Sequence, residues 1–387
     1  MLNYLKRYDY KKLPVSLILA IITLGIIGCF CIFKADGMGI AKRQIIGLIF
    51  GLIVLAVVSL IDYHTICRFY IPLYGLGVLL LFLTRFSPLG TDHGKNAYRW
   101  LDIGATEIQP SELVKVIMII VMAVILSKVY KKLNQWSVFI MCVFVMAVPT
   151  FLILIQTDLS SSAVCMFTFV VMIFMAGLSW KIIGILVPVG VPLSILAFWY
   201  VQQPYQKLLT GYQQKRILSF LHPEESASDG NYQTLHSVQA IASGGITGKT
   251  LMGDASDSRL YHMVFANESD FIFSVIGEEL GFFGCLILIA IFVYVVIKCI
   301  VIGRRAKDIT GRLIAYGVSG MLMFQSFVNI GVATSLLPNT GLPFPFLSYG
   351  LSSLLSSIIA VALVINVSLQ AGGRKGLNFT QNDFDFE

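Results

Sequence analysis

Apolar positions fall in long unbroken runs along this chain. They show neither the period-two alternation of half-buried strands nor the single stripe of a surface helix. A helix crosses a hydrocarbon layer in roughly 20 apolar residues. Runs of about that length recur near residues 13–33, 44–61, 69–84, 111–127, 136–155, 160–179, 182–200, 271–298, 313–336 and 347–370. Only one connection is long, residues 201–270, between the seventh and eighth runs. The pattern predicts an all-α, polytopic membrane protein of about ten transmembrane helices, with residues 1–370 as a single transmembrane domain. Residues 201–270 form its long extracellular loop, and 371–387, "AGGRKGLNFTQNDFDFE", a polar, mobile cytoplasmic tail. The first run contains "IIGC" (Ile26–Cys29) behind a basic start. It is longer than the roughly 7–15 residues of a signal peptide's apolar region, so it reads as a retained helix.

Composition agrees. Of 387 residues, 57% are hydrophobic and only 13% charged, against about 25% charged in a soluble domain. The net charge of +7 is topological, because the charges sit between apolar runs; nucleic acid is not indicated. With the N-terminus in the cytoplasm, the short inside segments hold fifteen Lys and Arg and the short outside loops six. That bias sets both termini inside and the 85–110 and 201–270 loops outside. Seven cysteines lie mostly within apolar runs without a CxxC pair, so neither zinc nor a disulfide framework is expected.

Polar residues at the edges of lipid carry the chemistry. In "YRWLDIGATEIQPSELVK" (Tyr98–Lys115), Pro110 opens a helix, and Glu112 and Lys115 share a face. They suit a structural ion pair as well as a cation for an anionic substrate. Arg99 fits an anion better, because its fork matches phosphate oxygens. Asp158, in "LIQTDLSSSAV", either caps the next helix or lines a polar cavity. In the long loop, "GYQQKRILSFLHPEE" has the mix of a membrane-surface segment. "NYQTLHSVQAIASGGITGKT" reads as a helix stopping at Gly244-Gly245. Its "GGITGKT" fails the phosphate-loop spacing, since residue 243 is Ser; its glycines and Lys249 remain candidates for a diphosphate.

"NESDFIFSVIGEELG" (Asn267–Gly281) puts four acids at the entrance to an apolar run. Asp270 falls at the water–lipid boundary, where it serves either as a helix cap or as a base of raised pKa. Glu278, eight residues on, would lie about 12 Å deeper along one helix. Glu278 and Glu279 must then face the interior or pair, with Lys115 as one candidate. "LLPNTGLPFPFLSYGLSSLLSS" (Leu336–Ser357) excludes helix around its prolines. It suits either a grip on a lipid-like substrate or a rigid packing turn.

The ordered set "AYRWLDIG…IQPSELVK", "QTDLSSSAV", "ASGGITGKTLMG", "NESDFIFSVIGEELGFFG" and "LPNTGLPFPFLSYGLSSLL" resembles the SEDS (shape, elongation, division and sporulation) proteins, the RodA/FtsW/SpoVE group, over about residues 13–370. The resemblance implies a multi-pass enzyme of the bacterial cytoplasmic membrane. Such an enzyme polymerises lipid II into peptidoglycan glycan strands on the outer face. It works with a class B penicillin-binding protein and other elongation or division proteins. It implies Asp270 as the catalytic residue. Arg99, Glu112, Lys115, Lys249 and Ser348 become substrate-binding candidates, and Asp158, Glu278 and Glu279 polar or structural ones. The motif "QPDLGTA" reads "QTDLSSSA" here, "HTDFIF" reads "ESDFIF" and "SYGGSS" reads "SYGLSS". The modest loops lean toward the elongation type. The expected reaction joins the sugar hydroxyl of an incoming lipid II to the anomeric carbon of a polyprenyl-diphosphate-linked glycan. Asp270 takes the proton, and Arg99, Lys115, Lys249 or a divalent cation (Mg or Mn) offsets the departing diphosphate. A lipid II flippase and a non-catalytic scaffold are the alternatives.

Overall fold

A computed structural model describes residues 8–91, 98–102, 104, 107–207, 209, 211–221, 229–251 and 259–371. The predicted tail beyond residue 371 lies outside the described residues. The first two apolar runs form α1 (Val15–Leu60), which is broken at Gly37, φ 75°. A side chain at Gly25 would meet Leu48 at 2.7 Å, whereas an unbroken helix would hold those residues roughly 35 Å apart. α1 is therefore a hairpin that crosses twice, and glycine supplies the left-handed turn.

A short α2 (Tyr63–Arg68) leads into α3 (Tyr70–Phe86). Three small antiparallel strands follow in the order β1-β2-β3: β1 (Gly90–Thr91), β2 (Trp100–Asp102) and β3 (Glu107–Ile108). Then come α4 (Pro110–Val129), α5 (Trp136–Ile155), α6 (Leu159–Met175) and α7 (Trp180–Val201). Pro110 occupies the first turn of α4, where its missing N–H is harmless. The long connection holds α8 (Gly211–Leu221) and α9 (Asp229–Ser243), and the chain ends in α10 (Ile272–Arg304), α11 (Ile309–Ala333) and α12 (Leu351–Gln370). The ten predicted runs are thus ten helical crossings, counting both arms of α1 and the long arm of α10. Two of them, α3 and α6, are short.

α11 and α12 form the centre and are mostly buried; α7, almost wholly exposed, sits on the rim facing lipid. The turns after Gly37, α3, α5, α7 and α11 gather at one end, called here the loop end. At the opposite end, Tyr63 N–H donates to Asn366 Oδ1 at 3.0 Å and Tyr63 Oη donates to Asp308 at 2.5 Å. Asp9 N–H donates to the Leu369 carbonyl at 3.0 Å, fastening the start of the chain to its last helix.

α10 departs from expectation. It breaks at Gly281, φ 67°, with almost the same dihedrals as Gly37. Phe273 and Phe292, on either side of the break, both pack against the Phe344 ring, with centroids 6.5 and 5.2 Å away. A straight helix would separate them by roughly 28 Å. Residues 272–280 therefore form a short arm folded back on the crossing arm. Loop 244–250 repairs the broken ladder. Lys249 and Thr250 N–H groups donate to the Glu278 and Glu279 carbonyls (3.0 and 3.2 Å), and Phe282 and Phe283 N–H groups donate to Gly245 and Ile246 (2.9 and 3.2 Å). These are the groups that an intact helix would have paired with one another.

Candidate active site

The folded-back arm reverses the predicted depths of its acids. Glu279 lies 4.0 Å from Lys34, near the tip of the α1 hairpin. Asp270 lies inward of it. Its carbonyl accepts from Asn329 Nδ2 at 2.9 Å, one turn inside the loop end of α11. The preceding Ser269 carbonyl accepts from Ser348 Oγ at 2.5 Å, and Ser348 in turn is held by Gln44, two turns down α1. Glu278 and Glu279 are thus nearer the loop end than Asp270, not two turns deeper. The reason is the left-handed Gly281, which a reading of "GEELG" as one continuous helix could not include.

The pair does not reach Lys115. Glu278 takes the Lys249 ammonium and the backbone N–H groups of Leu260 and Tyr261 at 3.0 and 2.9 Å. Glu279 takes Arg259 Nε at 2.9 Å, the Thr250 hydroxyl and Tyr261 Oη at 2.8 Å. Both acids are fully buried and, with their partners, nail the long loop onto α10. The glycines of "GGITGKT" serve the same contact: Gly244 presses on the Gly277 carbonyl and Gly248 on Gly281. Lys249 belongs to this hub, about 12 Å along the short arm from Asp270.

Glu112 and Lys115 form a closed pair. Lys115 Nζ donates to Glu112 Oε1 at 2.7 Å, Ser356 Oγ donates to Oε2 at 3.1 Å, and the two residues are 1% and 3% exposed. Asp158 is the predicted cap, accepting from Ser161 N–H at 3.0 Å at the start of α6. Its other oxygen accepts from Gln109 Nε2 at 3.4 Å, so it also ties α6 to the entrance of α4. Ser348 is a buried clasp: besides Ser269, its Oγ accepts from Phe344 N–H at 2.8 Å, holding the Pro-rich segment against the Asp270 turn.

Asp270 itself does not cap α10, whose N-cap is Phe271 with no side-chain bond. Its side chain points toward the Pro-rich segment, where a Cβ on Gly341 would stand 3.2 Å from Asp270 Oδ2 and 3.7 Å from Arg216 Nη1. Arg216 belongs to α8, a residue the sequence reading passed over inside "QQKRILSF". Beside this point opens a pocket of about 50 Å³ lined by Arg99, Thr157, Leu159, Ser160, Gln213, Arg216, Ile217, Pro338, Asn339 and Thr340. Arg99 Nη2 donates to the Thr157 carbonyl at 2.6 Å, and Gln213 Nε2 donates to the same oxygen at 3.1 Å. Thr157 holds that carbonyl in place through a left-handed backbone, φ 62°, uncommon for a residue with a side chain. Arg216 Nη1 donates to the Asn339 carbonyl at 3.4 Å. Among the described residues the lining carries two guanidiniums and no acid, with Asp270 at its edge. Burial, with Asp36 and Asp270 nearby, pushes the Glu268 carboxyl above its ordinary range.

Asn329 is the second residue that sequence reasoning missed. Its amide donates to the Asp270 carbonyl at 2.9 Å and to the Leu342 carbonyl at 2.7 Å, joining the two segments that flank the site. An amide in the middle of an apolar run was the available signal. Among the described residues, no group of three or more His, Cys, Asp or Glu could hold a metal ion by itself.

Similarity to known proteins runs the length of the chain. The family model for FtsW, RodA and SpoVE, described as "Cell cycle protein", matches residues 13–372. A probable peptidoglycan glycosyltransferase FtsW of Geobacter metallireducens is 33% identical, covering 96% of this chain and 97% of its own. The peptidoglycan glycosyltransferase MrdB of Escherichia coli is 30% identical over 93% and 94%. Among solved structures, one from work on coordination of polymerization and crosslinking by a peptidoglycan synthase complex aligns with a TM-score of 0.77 at 26% identity, covering 93% of this chain and 97% of that one. RodA of Thermus thermophilus aligns with a TM-score of 0.67 at 25% identity, covering 93% and 96%. A family model matched over nearly the whole chain agrees with relatives at 30% identity or more: this protein belongs to the FtsW/RodA/SpoVE family of cell cycle proteins.

Proposed function

We infer that this chain is a peptidoglycan glycosyltransferase of the membrane, acting at its loop end on lipid-linked glycan. The observation that carries the reading is the placement of Asp270 beside a two-arginine pocket at the membrane edge. The relatives' names supply the reaction class. The Lys and Arg bias orients the loop end outward and both termini inward. There the activated bond arrives with the substrate, so no nucleotide is needed.

In the proposed reaction, the hydroxyl of an incoming lipid II attacks the anomeric carbon of a polyprenyl-diphosphate-linked strand. Asp270 accepts the hydroxyl proton as the new glycosidic bond forms. The bond from the anomeric carbon to the diphosphate breaks, and that oxygen leaves with its electron pair. Arg99, aimed into the pocket, stabilises the departing charge. The segment around Pro343 and Pro345, clasped by Ser348, forms the wall beside the base. A Mg or Mn ion held by the substrate's own phosphates would add positive charge at the diphosphate. Glu112, Lys115, Glu278 and Glu279 shape the scaffold. A class B penicillin-binding protein is the proposed partner, supported by the similarity to a peptidoglycan synthase complex.

Purified protein supplied with lipid II in detergent, with and without such a partner, should produce glycan polymer. Lipid transfer across vesicles with no polymer would instead establish a flippase. Partner binding with neither activity would establish a scaffold.

A further inference from the structure

We propose that Arg216 is the second half of the diphosphate site and that bound diphosphate competes with Asp270 for its guanidinium. The proposal rests on the reading of Asp270 as the base. Gln213, Arg216 and Ile217 stand at helical spacing on one face of α8, and all three line the pocket. Arg99 faces them across it, with its Nε buried and unpartnered while Nη2 is fixed by Thr157. Two guanidiniums, with no acid among the described lining residues, select an anion with several oxygens. A diphosphate has that chemistry.

Arg216 is also the lining residue that shares a neighbour with the base. A single point on Gly341 lies 3.2 Å from Asp270 Oδ2 and 3.7 Å from Arg216 Nη1. Any side chain there would wedge between them, and the backbone, φ 76°, is itself one that favours glycine. With the pocket empty, the guanidinium stabilises the Asp270 carboxylate against the opposing charge of Glu268 and weakens it as a base. A diphosphate that engages Arg216 offsets this positive charge. Asp270 then becomes more basic only when a leaving group is in place. No further reactant is needed, because the anion that raises the basicity is the one that departs.

The test is binding of a polyprenyl diphosphate in detergent to the full-length protein. Affinity should fall about tenfold or more in Arg216→Gln and similarly in Arg99→Gln, and persist in Asp270→Asn, with native thermal unfolding throughout. Arg216→Lys should recover part of the loss. In polymerisation by the native protein, the acidic limb of kcat should lie at higher pH than that of kcat/KM. In Arg216→Gln the two limbs should coincide. Native affinity in a folded Arg216→Gln protein would overturn the inference, as would equal competition by phosphatidylglycerol. The binding arm reads Arg216 even if no polymer forms, which would count against the glycosyltransferase reading alone.

Discussion

At the scale of single residues, what matters is which charges are closed off and which face the pocket. Glu112 and Lys115 are closed: each is almost wholly buried and its partner is fixed. Removing one leaves the other charged and uncompensated, at about 3–5 kcal/mol. Glu112→Gln should therefore lower unfolding stability in detergent by about that amount, and adding Lys115→Met should restore most of it. If Glu112→Gln instead left stability intact while abolishing activity, the pair would belong to the substrate path. The sequence showed this pairing through spacing alone, because residues three apart on a helix must meet. It also showed the cap at Asp158, a local feature. Arg216 carried no local signal and Asn329 only that of an amide in an apolar run, since each acts on segments far away in the chain. Arg216 meets Asn339, and Asn329 meets Asp270. No local pattern announces such contacts.

At the scale of elements, two glycine breaks with nearly equal dihedrals have different surroundings. Nothing stands within 4 Å of a Cβ placed on Gly37, whereas one on Gly281 would run into Gly248 and Thr247 of the inserted loop. Gly37→Ala should carry only the penalty of that positive-φ backbone, about 1–3 kcal/mol, and keep activity. Gly281→Ala should carry that penalty plus the clash, loosening the loop and displacing the Asp270 arm. Expression, thermal unfolding and polymer yield of the two variants check this; equal behaviour would contradict the repaired-break account. Hydropathy located the run at 271–298 but not its fold, because apolar content is the same on both arms. The signal was "LGFFG", where a glycine followed two paired carboxylates. Its meaning depended on loop 244–250, which sits more than twenty residues earlier. The small strands at β1–β3 escaped for a related reason: each is only two or three residues long.

At the scale of the whole molecule, the two ends are built differently. The loop end holds the pocket and the hub of Glu278 and Glu279. The opposite end is latched by His64, whose ring lies 2.9 Å from Asp62 and 3.4 Å from Asp308. Burial alone would push the imidazole down, but hydrogen bonds and charge from Asp308 and Asp62 outweigh it and raise the pKa to about 9. The folded value exceeds the ordinary 6.5, so this stabilisation is complete below about pH 6.5 and is lost as pH rises through about 9. His64→Gln should therefore melt a few degrees lower than the native protein at pH 6.5 and converge with it above pH 10. A gap that persists there would assign the loss to packing instead. Asp62 and Asp308 are held below their usual range, so their share of the latch is lost only in acid. The ten crossings were readable at this scale because apolar length is a property of the local chain.

The central claim is that Asp270 takes the proton in glycan transfer, and one comparison addresses it directly. Polymer yield from lipid II is measured for the native protein and for Asp270→Asn, each folded and bound to the partner. The side chains are nearly the same size, and the Asp270 backbone carbonyl that Asn329 holds is untouched. A general base contributes about 10²–10⁴-fold, so Asp270→Asn should lose polymerisation by at least about a hundredfold while still binding a polyprenyl diphosphate. Native polymer yield from Asp270→Asn would contradict the account.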